Sequence, residues 1–212
     1  MIKKINLLLL IILIIVNGCG QKKDNSSGSS DQKSLSLNKG DYTVEISASK
    51  LIWTGKEVST KQHNGTLTIK KGQIIISDKG LISGVIEIDM STINTTDIQG
   101  RGKDRLDGHL KSPDFFDVKQ YPVAYLKFQG NEKSFSDGKL KFDGELTIKN
   151  ISHPISFFSI IDNVNSKISA RAEVTFDRSL YNVRFGSGKF FDNLGDRLIY
   201  DEISIDVFIV TA

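Results

Sequence analysis

From Lys139 to Ile148 the chain alternates without a miss: Leu140, Phe142, Gly144, Leu146 and Ile148 fall on one side, and Lys139, Lys141, Asp143, Glu145 and Thr147 on the other. That period is a strand with one face buried and the other in water. It returns in Ile168 to Asp177, where Ile168, Ala170, Ala172, Val174 and Phe176 alternate with polar residues, and in Val123 to Gln129, with Ala124, Leu126 and Phe128 on one face. Leu81 to Met90 behaves alike, Ile155 to Ile161 follows as a further strand, and Ile203 to Val210 reads as the closing strand. Before them, Tyr42, Val44, Ile46 and Ala48 predict a first strand and Leu51 to Trp53 a second. Gly65 to Lys70 and Gln73 to Ser77 read as a hairpin turning at Lys71-Gly72. About eight antiparallel strands, each apolar on one face, are satisfied best by closing the sheet, because closure alone removes both edges. The expected class is therefore all-β, an eight-stranded antiparallel β-barrel.

One stretch, Arg105 to Pro122 (RLDGHLKSPDFFDVKQYP), breaks the rhythm. Leu106 and Leu110 are four apart among charged residues, which predicts a short amphipathic helix from about Lys103 to Lys111 within a helical insertion near 101–117. Ser112 and Pro113 end it and start a tight turn that projects Phe115 and Phe116 together. Two adjacent aromatics on a turn read as a plug on the open end of the barrel, or as the lining of a ligand mouth.

Gly144, Ala124, Ala170 and Ala172 lie on inward faces. Small residues there either interdigitate with Phe128, Phe142 and Phe176 in a filled core or leave a tunnel, and an eight-stranded barrel has room for either.

The amino terminus has another origin. Lys3 and Lys4 lead into the aliphatic run Ile5 to Val16, which is shorter than the roughly 20 residues of a spanning helix and reads as a secretory signal. Asn17-Gly18-Cys19 resembles the bacterial lipobox, in which the cysteine becomes an acylated, palmitate-bearing amino terminus. Residues 1–18 are thus expected to be a lipoprotein signal peptide. Cys19 is the expected lipidation site, and as the sole cysteine it can form no internal disulfide. Residues 19–40 are rich in Ser, Lys, Asn and Gly, with Leu35 and Leu37 the only apolar members after Cys19, and read as a flexible tether. Residues 41–212 are left for the barrel. By resemblance to lipoprotein sorting, Gly20 permits delivery to the outer membrane, so the expected location is the bacterial cell envelope, periplasm-facing or surface, held to the membrane by the anchor. Without Lys3 and Lys4 the 28 basic side chains fall to 26 against 25 acidic ones, a balance that offers nucleic acid no electrostatic footing.

Three segments together resemble the YceI-like family: HLKSPDFFDVKQYP at 109–122, GELTIKNISHPISF at 144–157 and ARAEVTFDRSLYNVRFGSG at 170–188. The resemblance covers roughly Asp41 to Ala212. His153 departs from it, standing where the family more often has Lys in a Gly-Val-Thr-Lys-Pro type turn. The resemblance implies a lipocalin-like barrel with an apolar tunnel for a polyisoprenoid chain, a polar headgroup at one mouth, and a possible homodimer. Lining candidates are then Phe115, Phe116, Phe128, Phe142, Leu146, Ile148, Phe157, Val174 and Phe176, each of which also fits ordinary core.

Other chemistry finds little support. His63, His109 and His153 have no metal-ligand spacing, no GxSxG elbow occurs, and catalytic residues, a metal and a cofactor other than bound isoprenoid lipid are not expected. His109 is expected to hold the lid by a hydrogen bond. Asp97 to Asp104 mixes glycine with both charges and reads as a mobile loop. Arg178, Arg184 and Lys189, beside Gly186-Ser187-Gly188, read either as a solvated loop or as a cationic rim for a headgroup. The chain is expected to be a non-enzymatic envelope lipoprotein that binds or carries an isoprenoid or similar amphiphile. The alternative is a filled barrel whose loops bind a protein.

Overall fold

The computed structural model describes residues 35, 37–59, 61–164 and 167–212. The signal peptide, Cys19 and most of the tether lie outside the described residues.

Nine strands, β1 (Gly40–Thr43), β2 (Lys50–Glu57), β3 (Gln62–Ile76), β4 (Leu81–Thr95), β5 (Val123–Asn131), β6 (Leu140–Ile148), β7 (Ile151–Val164), β8 (Lys167–Asp177) and β9 (Ile199–Val210), form one antiparallel sheet. Each strand from β2 onward pairs with its successor, and β2 pairs with β9, so the sheet closes on itself. The barrel has eight staves because β1 and β2 share one: both pair with β3, at Gln73–Ile76 and Gln62–Leu67 respectively.

Two expectations for this region are corrected. The run Tyr42 to Ala48 is not one strand: after β1, Val44 bridges to Thr211, and Ile46–Ala48 forms a 3-10 turn with Ile46 facing water. Nor is Lys71-Gly72 a turn, since β3 runs straight through it. The glycine serves close approach instead, because a Cβ at Gly72 would lie 2.5 Å from the Val44 side chain. Where the stave breaks, Val44 folds over β3, and only glycine leaves room.

The true turns follow local chemistry. Asp137-Gly138 and Lys149-Asn150 both adopt positive φ at successive residues, the backbone of a tight hairpin matched to strand twist. Pro154 sits in β7 where that strand pairs only with β6, because β8 joins it from Ser159 onward. Its missing N–H therefore breaks no ladder.

Helix α1 (Gly100–Lys111) closes the connection from β4 to β5. It starts earlier than its leucines suggest and absorbs much of the segment expected to be a mobile loop. The rest of that segment is tied down as well: Asp97 accepts from the Asn64 backbone and lies 2.8 Å from His63 Nδ1. Asp107 anchors the helix to the barrel by accepting from both the backbone N–H and the hydroxyl of Thr95, at 2.8 and 2.6 Å, while Lys103 pairs with it one turn away. Ser112 ends the helix, its N–H bonded to the His109 carbonyl.

Candidate functional site: an apolar lumen with one capped end

Inside the barrel lies a slender cavity of about 200 Å³. It reaches from Leu37, Ile76 and Ile82 at one end to Lys56, Glu57, His63 and Leu106 at the other. Its wall is almost wholly aliphatic and aromatic. The side chains that bring polar groups to it are Lys56, Glu57, His63, His109, Ser159 and the indole of Trp53.

All nine lining candidates stand on this wall. Phe142 stacks on Phe157 at 5.5 Å and meets Phe128 edge-on at 5.3 Å, which builds one aromatic side. Glycines make that cluster possible. Phe128 sits between Gly84 and Gly144 on neighbouring strands, and a Cβ at Gly84 would come 2.4 Å from its ring. Phe115 is buried and Phe116 half-buried, with ring centroids 5.1 Å apart. Together with Leu106, His109 and Leu110 they close one end of the lumen as a plug. Local geometry produces the pair: Phe115 N–H donates to Ser112 O, Phe116 N–H to Leu110 O, and Asp117 takes a positive φ of 48°.

His109 differs from expectation. Its Nε2 is buried without a hydrogen-bond partner among the described residues, and the ring packs edge-on against Phe115 and Phe185, at 5.6 and 4.3 Å. A residue that no spacing announced does the fastening. Lys149, in the β6–β7 turn, donates to Phe115 O at 3.1 Å and to Asn182 O at 3.0 Å, tying the plug to the segment after β8. Burial pushes its ammonium below the ordinary value, a pull that Asp117 opposes.

The cationic cluster is where the structure departs furthest from the sequence reading. Arg178 is not on a rim: it is 0% exposed. Its guanidinium donates to the carbonyls of Val183, Phe185, Ile199 and Tyr200, approaches Asp201 at 3.3 Å and lies over Phe115 at 5.3 Å. It staples the turn after β8 to the start of β9. Burial lowers its pKa, with Asp201 and Asp177 pulling the other way. Arg184 is exposed, bonded to Asn182 and stacked on Phe190 at 4.9 Å. Lys189 is paired with Asp177 and Ser179. Neither lines the cavity. His153, the departure from the family pattern, braces the same corner through the Leu180 carbonyl and the Tyr181 ring. Burial raises the Tyr181 hydroxyl to about 12.

Among the described residues no three His, Asp, Glu or Cys side chains gather as a metal site, and no helix is long and apolar enough to cross a membrane.

An up-and-down barrel closed by a helical plug over an apolar lumen belongs to the class of eight-stranded β-barrels, whose interior is filled by side chains or leaves room for one slender guest. The particular lineage is defined by a YceI-like domain model that matches residues 42–211, and the chain belongs to the YceI-like family. Solved structures share the fold. Burkholderia cenocepacia BcnA is similar at 20% identity and TM-score 0.62, over 80% of this chain and 99% of that one. A polyisoprenoid binding domain from Saccharophagus degradans, implicated in plant cell wall breakdown, is similar at 16% identity and TM-score 0.57, over 80% and 97%. No curated protein matches the chain.

Proposed function

We propose that this protein is a non-enzymatic envelope lipoprotein that holds the hydrocarbon tail of an isoprenoid or similar amphiphile in its barrel. The observation that carries the reading is the lumen: a narrow apolar cavity running most of the barrel's length, with polar side chains concentrated at one end. Each methylene moved from water into such a space gains about 0.8 kcal/mol, so a long tail binds by length alone and needs no fixed polar partner. The family, and the polyisoprenoid binding described for the Saccharophagus domain, favour an isoprenoid over an unbranched chain. Cys19 would carry the acyl anchor and residues 19–40 the reach, leaving the barrel free beside the membrane that stores its ligand.

The test is native mass spectrometry of the full chain carrying Cys19→Ala, which cannot be acylated, purified without detergent and then extracted with organic solvent. A stoichiometric adduct built of isoprene units is the expected result. A mass that stays bare after incubation with isoprenoid quinones and polyprenyl phosphates would overturn the reading in favour of a loop-mediated protein partner.

A further inference from the structure

Two polar rings on the lumen wall hold an atom with no hydrogen-bond partner. The indole Nε1 of Trp53, a residue 8% exposed, and the Nε2 of His109 are both buried and unpartnered among the described residues. They share the capped end of the lumen. Trp53 pairs across the sheet with Gly65, Gly65 with Thr95, and Thr95 is the residue to which Asp107 pins helix α1, two positions before His109. Gly65 allows the indole to lie against the wall, since a Cβ there would stand 2.7 Å from the ring. A buried N–H without an acceptor is destabilising, and folding tolerates it where a guest supplies the missing oxygen.

Charge decides which oxygen. Lys56 is the one lysine or arginine among the described lining residues, and it sits at the rim beside Glu57; His63, also on the wall, is taken up by the Asp97 carboxylate at 2.8 Å. Arg178, behind Phe115, donates to four backbone carbonyls and faces Asp201. A phosphate drawn into this space would be a desolvated anion without a counter-charge, whereas an uncharged carbonyl needs only a donor.

We propose that the capped end of the lumen receives the uncharged, carbonyl-bearing head of the lipid, with Trp53 Nε1–H and His109 in its Nε2–H tautomer as donors. A phosphate-headed chain must leave its head outside. The inference rests on the lumen being a lipid site and adds the class of headgroup that it selects.

Three probes with one tail test it by equilibrium dialysis against the full Cys19→Ala chain: a farnesyl benzoquinone, farnesyl phosphate and the hydrocarbon farnesene. The quinone is expected to bind about tenfold more tightly than the phosphate. Trp53→Phe keeps an aromatic ring but removes the N–H with the pyrrole half of the indole, and should weaken the quinone by about fivefold and farnesene by much less; His109→Leu should act in the same sense. Trp53 is the only tryptophan, so its single indole N–H resonance should move downfield with the quinone and not with farnesene. Phosphate binding as tight as the quinone, or a Trp53→Phe loss equal for all three probes, would overturn the headgroup assignment and leave the lipid lumen standing. Failure of all three to bind would overturn both.

Discussion

The corner after β8 and the lumen beside it treat buried polar groups in opposite ways. Around Arg178 the guanidinium meets four carbonyls and a carboxylate, and Ser187 bonds Asp201 from the other side. In the lumen, Trp53 Nε1 and His109 Nε2 have no hydrogen-bond partner among the described residues. Both regions touch Phe115, the corner through the Arg178 cation and the lumen through the His109 edge. Asp201 Oδ1 in the corner also lacks a hydrogen bond among the described residues, but it faces the Arg178 guanidinium at 3.3 Å. The difference separates scaffold from site: an ion-paired network of this kind rigidifies, while an unpartnered ring nitrogen in an apolar cavity stays available to a guest.

The sharpest way to break the contrast is to empty the corner. Arg178→Met strands four carbonyls and Asp201, and should cost about 3–5 kcal/mol in urea denaturation. Arg178→Lys should recover only part of this, because one ammonium cannot span the fork of carbonyls. A loss below about 1 kcal/mol would place the rigidity of the corner elsewhere.

Next in size is Phe142→Ala on the lumen side. It removes the centre of the aromatic cluster and should cost about 3 kcal/mol, at the low end for a buried Phe because the site already borders a cavity. The wider lumen should then accept a bulkier tail, read as a gain in affinity for a branched probe over a linear one.

A smaller effect tests the helical plug. Burial alone would raise the Asp107 carboxyl, but the hydrogen bonds from Lys103 and Thr95 more than offset it and hold it below the ordinary 3.8. A carboxyl lowered on folding stabilises fully above its unfolded value and loses that contribution as pH falls through its folded one. Asp107→Asn should therefore cost about 1–2 kcal/mol at pH 7, and the gap to the parent chain should close below about pH 4. A gap that widens in acid would contradict the pin.

The smallest change is expected from Lys189→Ala. Its pair with Asp177 is largely exposed, so thermal unfolding should shift only slightly and lipid uptake not at all. Weakened uptake of a neutral isoprenoid would restore a ligand role to this loop.

Much of the barrel was legible because a strand writes its buried face into every second residue. Lys139 to Ile148 and Ile168 to Asp177 needed no tertiary information to be placed; that their inward residues line a tunnel and do not fill a core came from the family resemblance, since periodicity leaves both open. The run at Tyr42 to Ala48 shows the limit. Its alternation is as regular as the others, yet Val44 crosses to Gly72 and Thr211 instead, since closing the barrel required the first stave to break there.

What composition and spacing determined, then, was the all-β class, the inward faces and the plug, all of them consequences of local periodicity. What only the tertiary structure decided was where each charge and each N–H finds its partner. Arg178 reads on paper as one of three loop cations, and it becomes an interior staple because carbonyls from Val183 to Tyr200 converge on it. Lys149, unremarked in its turn, reaches the plug, and Trp53 Nε1 is buried without a partner among the described residues. Partners separated by tens of residues leave no period in a sequence; they meet only once the sheet has closed.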